Sequence, residues 1–251
     1  MPRCARVKSQ SNIYHIMLRG INQQIIFEDE EDSVKFIETL RTYKAISGYK
    51  IFAYCFMGNH LHLLLQVGKE ELDTILKRIA GSYVYWYNWK YYRRGHLFQD
   101  RFKSEPVEDN LYFLTVLRYI HQNPVKAGLC DRIDEYEFSS YNDYIAENSR
   151  LTDTDFLLSI VDKEWFVKFH NEKSDDECLD IDKKDFRIND IDAKKIIRKV
   201  SRCKNATEFQ ALEIKKRDRY IKKLKENGLS TRQISRLTGI GRGVVEKSFS
   251  R

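Results

Sequence analysis

The spacing of hydrophobic residues in the first half of the chain predicts alternating strands and helices. Short runs of alternating or continuous apolar residues indicate four strands, at 12–19, 49–57, 60–67 and 102–108. Longer stretches with an apolar residue every three or four positions indicate three helices, at 28–46, 72–92 and 110–122. The resulting order β-α-β-β-α-β-α predicts an α+β domain, with a ferredoxin-like (RRM-like) antiparallel sheet and packed helices.

Charge divides the chain into three segments. Residues 1–150 hold 20 Lys and Arg against 19 Asp and Glu, residues 151–182 hold 3 against 10, and residues 183–251 hold 21 against 8. The net charge of +7 is therefore concentrated in the tail, which indicates a nucleic-acid partner for that part. We predict a catalytic domain, an acidic and partly helical connector, and a basic helical DNA-binding domain, at 1–145, 146–187 and 188–251.

The tail contains the helix-ending and helix-capping residues of a small all-α domain. Gly228 ends one predicted helix, Ser230 or Thr231 caps the next, and Gly239 makes the turn into a last helix at 242–249. This arrangement favours a helix-turn-helix at about 228–251 that binds duplex DNA. A small helical bundle without DNA contact is the alternative.

Composition excludes some classes of protein. No run approaches the roughly 18–20 apolar residues of a membrane span, and the first residues hold no hydrophobic signal core. The five cysteines are widely spaced without a Cys-x-x-Cys pair, so a zinc knuckle or a disulfide framework is not expected. We predict a cytoplasmic, nucleoid-associated protein with no membrane partner, as a monomer or a homodimer.

Two pairs of residues have the spacing of a reactive site. His60 and His62 alternate on a predicted strand, so both imidazoles leave the same face about 6–7 Å apart and can share a metal ion. Tyr119 and Asn123 lie one turn apart on a predicted helix. Together they suggest metal-assisted phosphodiester cleavage with a tyrosine nucleophile. Spacing alone also allows structural histidines, a core tyrosine, and Asn123 as the N-cap of a new helix that begins at Pro124.

Five ordered blocks decide between these readings. They are YHIMLRG, AYCFMGNHLHLLL, RRGHLFQDRFKS, RYIHQNPVKAGL and EFSSYNDY, between residues 14 and 144. Over roughly residues 10–145 the chain resembles the single-tyrosine HUH transposases of insertion sequences, in particular the REP-associated tyrosine transposase branch. The resemblance implies that His60 and His62 bind the metal and that Tyr119 is the nucleophile. It also implies that Asn123 is a third ligand, where relatives often have Gln.

The resemblance further implies the chemistry. A divalent ion, Mg²⁺ or Mn²⁺, assists the attack of the tyrosine on single-stranded DNA near hairpin-forming repeats, and the 5′ phosphate becomes linked to the tyrosine. On ligand type alone, two imidazole nitrogens point to zinc or manganese rather than magnesium. His15 is expected to be structural or to face the substrate, and His121 to face away from Tyr119.

Cations beside aromatic rings are candidates for DNA contact. Rings interleaved with cations suit single-stranded DNA, whose bases stack on rings, although these rings equally fit a core or a dimer surface. The predicted contacts in the first domain are Arg19, Lys90, Arg93, Arg94, His96, Arg101 and Lys103. Those in the tail are Arg232, Arg236, Arg242 and Lys247.

Two other classes of protein share parts of this pattern. Histidine-triad nucleotide hydrolases also have alternating histidines on a strand, but they need a third histidine where this chain has Leu64. A domesticated regulator would keep the fold and bind DNA through the tail without cleaving it. Metal-dependent nicking of single-stranded DNA distinguishes a transposase from such a regulator.

Overall fold

A computed structural model describes residues 6–146, 151–172, 174, 176, 178–180 and 187–248 of the chain. The strands are β1 (Ile13–Arg19), β2 (Lys50–Met57), β3 (His60–Gln66) and β4 (Lys103–Pro106). The helices of the first half are α1 (Glu30–Ser47), α2 (Leu72–Lys90), α3 (Asn110–Lys126) and α4 (Tyr141–Ala146). Those of the second half are α5 (Asp155–Leu158), α6 (Lys163–Asn171), α7 (Asp190–Ser201), α8 (Ala206–Gln210), α9 (Ile214–Glu226), α10 (Thr231–Thr238) and α11 (Arg242–Lys247).

The four strands form one antiparallel sheet in the order β2-β3-β1-β4. This is the order in which a ferredoxin-like domain arranges its strands, so the predicted fold class is confirmed. Register places Met17 of β1 between His62 of β3 and Lys103 of β4. Residues of one such row point to the same face of the sheet, because side chains alternate along each strand.

Local signals set the ends of the first-half helices. Asp29 caps α1 and exchanges hydrogen bonds with Asp32, while Gly48 ends the helix with a left-handed φ of 67°. Asp109 caps α3, which continues to Lys126 with Pro124 inside it. The alternative in which Asn123 caps a new helix is therefore wrong. Pro124 lacks an N–H donor, but it lies in the last turn, where the chain continues with Ala127 N–H bonded to Asn123 O.

The sheet separates two hydrophobic cores. One face, with Ile16, Leu61 and Leu63, packs against α1 and α2. The other face, with Ala53 and Leu64, packs in one cluster with α3 and with apolar residues of the C-terminal helices. The second half of the chain therefore helps to cover the face that carries His60 and His62.

The described part of the second half is helical, as expected. In the connector, the amphipathic stretch at 154–170 forms α5 and most of α6. In the tail, the basic stretch at 208–226, whose spacing predicts a single helix, is divided between α8 and α9. Ser230 caps α10, and Gly239 ends it at φ 70° before α11. The end of the predicted last helix, residues 249–251, lies outside the described residues. Among the described residues, no helix has the length and apolar character needed to cross a membrane.

Candidate metal and tyrosine site

His60 and His62 lie side by side, as their alternate positions on β3 predict. Their ring centroids are 5.2 Å apart, and both side chains are buried. β3 is an inner strand of the sheet, so the backbone that carries both rings is hydrogen-bonded on both sides. The sheet thus fixes the separation of the two imidazoles before any ion binds.

A neighbouring side chain orients each imidazole. Nδ1 of His60 lies 3.1 Å from Oδ1 of Asn59, and Nδ1 of His62 lies 3.0 Å from Nε2 of His15. Nε2 of His62 is buried without a hydrogen-bond partner among the described residues. In a metal-binding histidine, one ring nitrogen binds the ion and the other is commonly hydrogen-bonded to a neighbouring group. A buried His62 whose Nδ1 contacts His15 and whose Nε2 has no hydrogen bond among the described residues fits this role. His15, which sequence reasoning left as structural or substrate-facing, supports His62.

A third donor comes from the connector. One ligand atom each from His60, His62 and Asp180 can be chosen so that all three lie within 4.8 Å of one another. Oδ1 of Asp180 lies 3.6 Å from Nε2 of His62. Two imidazoles and a carboxylate are donors that a divalent ion such as Mn²⁺ accepts. Sequence reasoning missed Asp180, because its only signal was its place in an acidic segment far from the histidines.

Tyr119 reaches the same point from α3. Its ring is 4% exposed and packs edge-on against His15 and His62, at centroid distances of 6.0 and 5.9 Å. Its hydroxyl donates a hydrogen bond to Oδ2 of Asp180. Burial, followed by the contact with Asp180, raises the pKa of Tyr119 above its ordinary value, although the Asn123 amide acts in the opposite direction. Tyr119 is therefore a neutral phenol at neutral pH.

Asn123 lies one turn after Tyr119, as predicted. The side chain is 6% exposed, and its Nδ2 has no hydrogen-bond partner among the described residues. Leaving a buried N–H donor without a hydrogen bond costs free energy. A further hydrogen-bond acceptor that binds next to Asn123 would remove this cost.

His121 faces away from this site, also as expected. Its Nδ1 lies 2.9 Å from Nε2 of His170, and its Nε2 lies 2.8 Å from Oγ of Ser140. These contacts connect α3 to α6 and to the segment before α4. His121 therefore holds the tyrosine helix in place and takes no part in the metal site.

Some of the predicted DNA contacts share the face of the metal site. Arg19 is paired with His60 across β1 and β3, and Lys103 belongs to the row of His62. Arg101 and Lys103 line an open cleft of about 580 Å³ together with Arg6 and Leu179. Arg19 and Lys103 therefore lie on the face of the sheet that carries His60 and His62, and the contact of these cations with DNA stays a prediction.

Other predicted contacts lie on α2 or beyond it, on the opposite side of the sheet. Nζ of Lys90 lies 2.7 to 2.9 Å from carboxylate oxygens of Asp29, Glu31 and Asp32, which raise its pKa and occupy its N–H groups. Arg93 donates to Gln24. Arg94 and His96 are exposed.

The predicted contacts of the tail differ in their availability. Arg236 is paired with Asp190, and Arg242 with Glu246 at 2.8 Å. Arg232 and Lys247 are exposed, and within the described part of the chain they have no ion pair. Arg232 also lines a cleft of about 760 Å³ between the tail and the segment after β1.

The chain is similar in sequence to known transposases. The family described as IS200-like transposases matches residues 8–123. A Haemophilus influenzae protein named as a REP-associated tyrosine transposase is 26% identical over 106 residues, which are 38% of this chain and 60% of that protein. The chain thus spans 60% of the length of this curated relative.

A solved structure supports the fold. The structure of a REP-associated tyrosine transposase bound to a REP hairpin matches at a TM-score of 0.51, with 15% identity, over 61% of this chain and 94% of that one. The match to the family ends at residue 123, so the helix-turn-helix of the tail stays a prediction. Residues 8–123 of the chain therefore match the IS200-like transposase family, and the fold is similar to that of a REP-associated tyrosine transposase.

Proposed function

We propose that the protein is a metal-dependent endonuclease and strand transferase for single-stranded DNA, with Tyr119 as its nucleophile. The observation that carries the proposal is the convergence of Tyr119, His62 and Asp180. The phenol and the unpartnered imidazole nitrogen both face one carboxylate, although they come from different elements of the fold. A tyrosine buried only for packing does not require two oriented imidazoles beside its hydroxyl.

The residues that would hold a divalent ion are His60, His62 and Asp180, with the Asn123 amide as a further oxygen donor. A divalent ion bound there withdraws charge from the scissile phosphate and stabilises its transition state. The resemblance implies Mg²⁺ or Mn²⁺. Two nitrogen donors favour Mn²⁺, because Mg²⁺ prefers oxygen ligands.

The tyrosine performs the transfer. The Tyr119 oxygen attacks phosphorus and forms the phosphotyrosine bond, while the bond from phosphorus to the 3′ oxygen breaks. The phenolic proton passes to Oδ2 of Asp180, its hydrogen-bond partner, and the departing 3′ oxygen takes up a proton to leave a free hydroxyl. The reverse attack by a 3′ hydroxyl rejoins the same strand or a different one without an external energy source.

The substrate proposed is single-stranded DNA near a hairpin. The relative of known structure is described as bound to a REP hairpin, and Arg19 and Lys103 lie on the face where such a strand would approach. We also propose the division into a catalytic domain at 1–145, a connector, and a DNA-binding tail from residue 188 that contacts duplex DNA. The protein would act as a monomer or a homodimer on cytoplasmic, nucleoid-associated DNA.

The test is the formation of a covalent adduct. Labelled single-stranded hairpins from genomic repeats are incubated with the full chain and Mn²⁺ or Mg²⁺, and the products are separated under denaturing conditions. We expect an adduct for the wild type, none for Tyr119→Phe, and none with a chelator. Tyr112→Phe, two turns earlier on α3, is the matched control and should keep the adduct.

The other outcomes are equally informative. An adduct that survives Tyr119→Phe would mean that another residue is the nucleophile. Absence of any adduct, together with binding of duplex DNA that Arg232→Ala and Lys247→Ala weaken, would favour the regulator that binds without cleavage.

A further inference from the structure

The aromatic residues of α2 and of the turn after it form two groups. Tyr83 and Tyr87 are buried in the core between α2 and the sheet. Tyr85, Trp89 and Tyr92 are 80%, 73% and 98% exposed. Tyr85 and Trp89 lie one turn apart on one side of the helix, and Tyr92 lies in the turn after it; the three are called the α2 aromatic face below.

Nothing in the described part of the chain covers the α2 aromatic face. No ring of the described residues stacks on Tyr85, Trp89 or Tyr92. Gly81 lies one turn before Tyr85, and a Cβ placed on it would meet no atom within 4 Å. Large exposed aromatic side chains are unfavourable in water, and a cluster of them commonly marks a binding surface.

The charge around this face suits an anionic partner. Residues 74–99 contain five lysines and arginines and no Asp or Glu. Arg78, Lys90 and Arg93 have polar partners, which are Glu70, the cluster around Asp29, and Gln24. Lys77 and Arg94 are exposed at the two ends of the face, and no described residue forms an ion pair with either.

A second copy of the chain fits this face poorly. Pairing two α2 helices across a twofold axis would bring the cations Lys77 and Arg94 of both copies together, and Asp73, the one acidic residue of α2, is already paired with Arg6 of its own chain. Single-stranded DNA suits both the exposed rings and the unpaired cations. Its bases can stack on Tyr85, Trp89 and Tyr92, and its phosphates can pair with the two cations.

We propose that the α2 aromatic face is a second binding site for single-stranded DNA, separate from the cleavage site. α2 packs on the sheet face opposite to His60 and His62, so this site holds a flanking strand rather than the scissile phosphate. Tyr85 and Trp89 lie about 6 Å apart along the helix axis, a separation that suits neighbouring bases of an extended strand, and Tyr92 offers a third ring beyond the end of the helix. This inference rests on the proposed function in one respect, namely that the substrate carries single-stranded DNA beyond the cleaved bond.

The experiment measures binding without cleavage. A fluorescein-labelled oligothymidylate of about 16 nucleotides, the upper range of a single-strand site, is titrated with the full chain in chelator, and anisotropy is recorded. The triple variant Tyr85→Ala/Trp89→Ala/Tyr92→Ala should bind at least about 10-fold more weakly. Leu111→Ala removes an equally exposed apolar side chain, 78% accessible, from α3 and should bind like the wild type. Oligothymidylate should also quench the fluorescence of Trp89.

Two results would overturn this proposal. Unchanged affinity in the triple variant would show that the rings do not bind the strand. A wild type that sediments as a dimer and a triple variant that sediments as a monomer would make the face a protein interface. Far-ultraviolet circular dichroism checks that the triple variant is folded.

A separate assay tells the two proposals apart. Adduct formation on a hairpin whose single-stranded flank ends just beyond the scissile bond requires only the cleavage site, so the triple variant should keep it. Suppose instead that neither the wild type nor the triple variant forms an adduct, but that the triple variant binds oligothymidylate more weakly than the wild type. The cleavage proposal then fails and the second site stands.

Discussion

The hydroxyl of Tyr119 donates to one oxygen of Asp180, while the other oxygen of that carboxylate lies 3.6 Å from Nε2 of His62. Asp180 therefore joins the proposed nucleophile to the proposed metal pair. It belongs to a segment outside the family match, which ends at residue 123. The proposed reactive centre is thus completed by a residue from the second half of the chain.

Replacement of Asp180 tests this relationship. We expect Asp180→Asn to bind Mn²⁺ at least about 10-fold more weakly, because the ion loses a charged oxygen donor, and to form the adduct more slowly. Titration calorimetry of the full chain measures the affinity. Asn123→Ala is the companion variant and should weaken binding less, because an amide oxygen carries no net charge. The reverse order would make Asn123 the principal third ligand.

The support that His15 gives to His62 predicts an effect without direct contact with the ion. His15→Leu removes the partner of His62 Nδ1, so the imidazole loses its fixed orientation. We expect the affinity for Mn²⁺ to fall by about 10- to 100-fold, the usual range for loss of such a partner. His96→Ala, at an exposed position, is the control and should leave the affinity for Mn²⁺ unchanged. Equal affinity in His15→Leu and wild type would mean that packing alone orients His62.

The buried pair His121 and His170 predicts how stability depends on pH. Burial lowers the pKa of His170 to about 3 and lowers that of His121 as well, whereas both titrate near 6.5 in an unfolded chain. Below about pH 6.5 the unfolded chain therefore binds protons that the folded chain does not, and the free energy of unfolding decreases as the pH falls toward 3. Above about pH 6.5 both histidines are neutral in both states, so the pair no longer makes the free energy of unfolding depend on pH.

His170→Gln isolates one of these protons. Its free energy of unfolding should change with pH less steeply than that of the wild type, by up to about 1.4 kcal/mol per pH unit below pH 6.5. Urea denaturation at several pH values measures both slopes. Parallel curves for the two proteins would show that His170 is protonated in the folded state.

Two glycines give opposite predictions for the same substitution. A Cβ on Gly58, in the turn between β2 and β3, would lie 2.9 Å from the backbone oxygen of Arg187, where the tail packs against the turn. We expect Gly58→Ala to destabilise the protein by about 1–3 kcal/mol in urea denaturation. Gly81→Ala, in the open interior of α2, should stabilise it by about 0.5–1 kcal/mol. If Gly58→Ala were neutral, the tail would not be held rigidly against the turn.

Local periodicity accounts for the parts of the site that the sequence predicts. His60 and His62 share a face because a strand has a period of two, and Tyr119 and Asn123 lie one turn apart because a helix has a period of 3.6. The sheet order follows from the order of elements and the tight turn at Gly58 and Asn59. The two residue pairs depend on local geometry alone, whereas the sheet order also requires β1 to pair with β3 and β4, which are distant along the chain.

The rest was decided by tertiary structure, because it depends on contacts between segments distant along the chain. Packing brings Asp180 to Tyr119 and His15 behind His62, and it surrounds Lys90 with three carboxylates. It also buries Tyr83 and Tyr87 while Tyr85 and Trp89 stay in solvent. In sequence these four residues form one aromatic run, and only the side of α2 that faces the sheet distinguishes them.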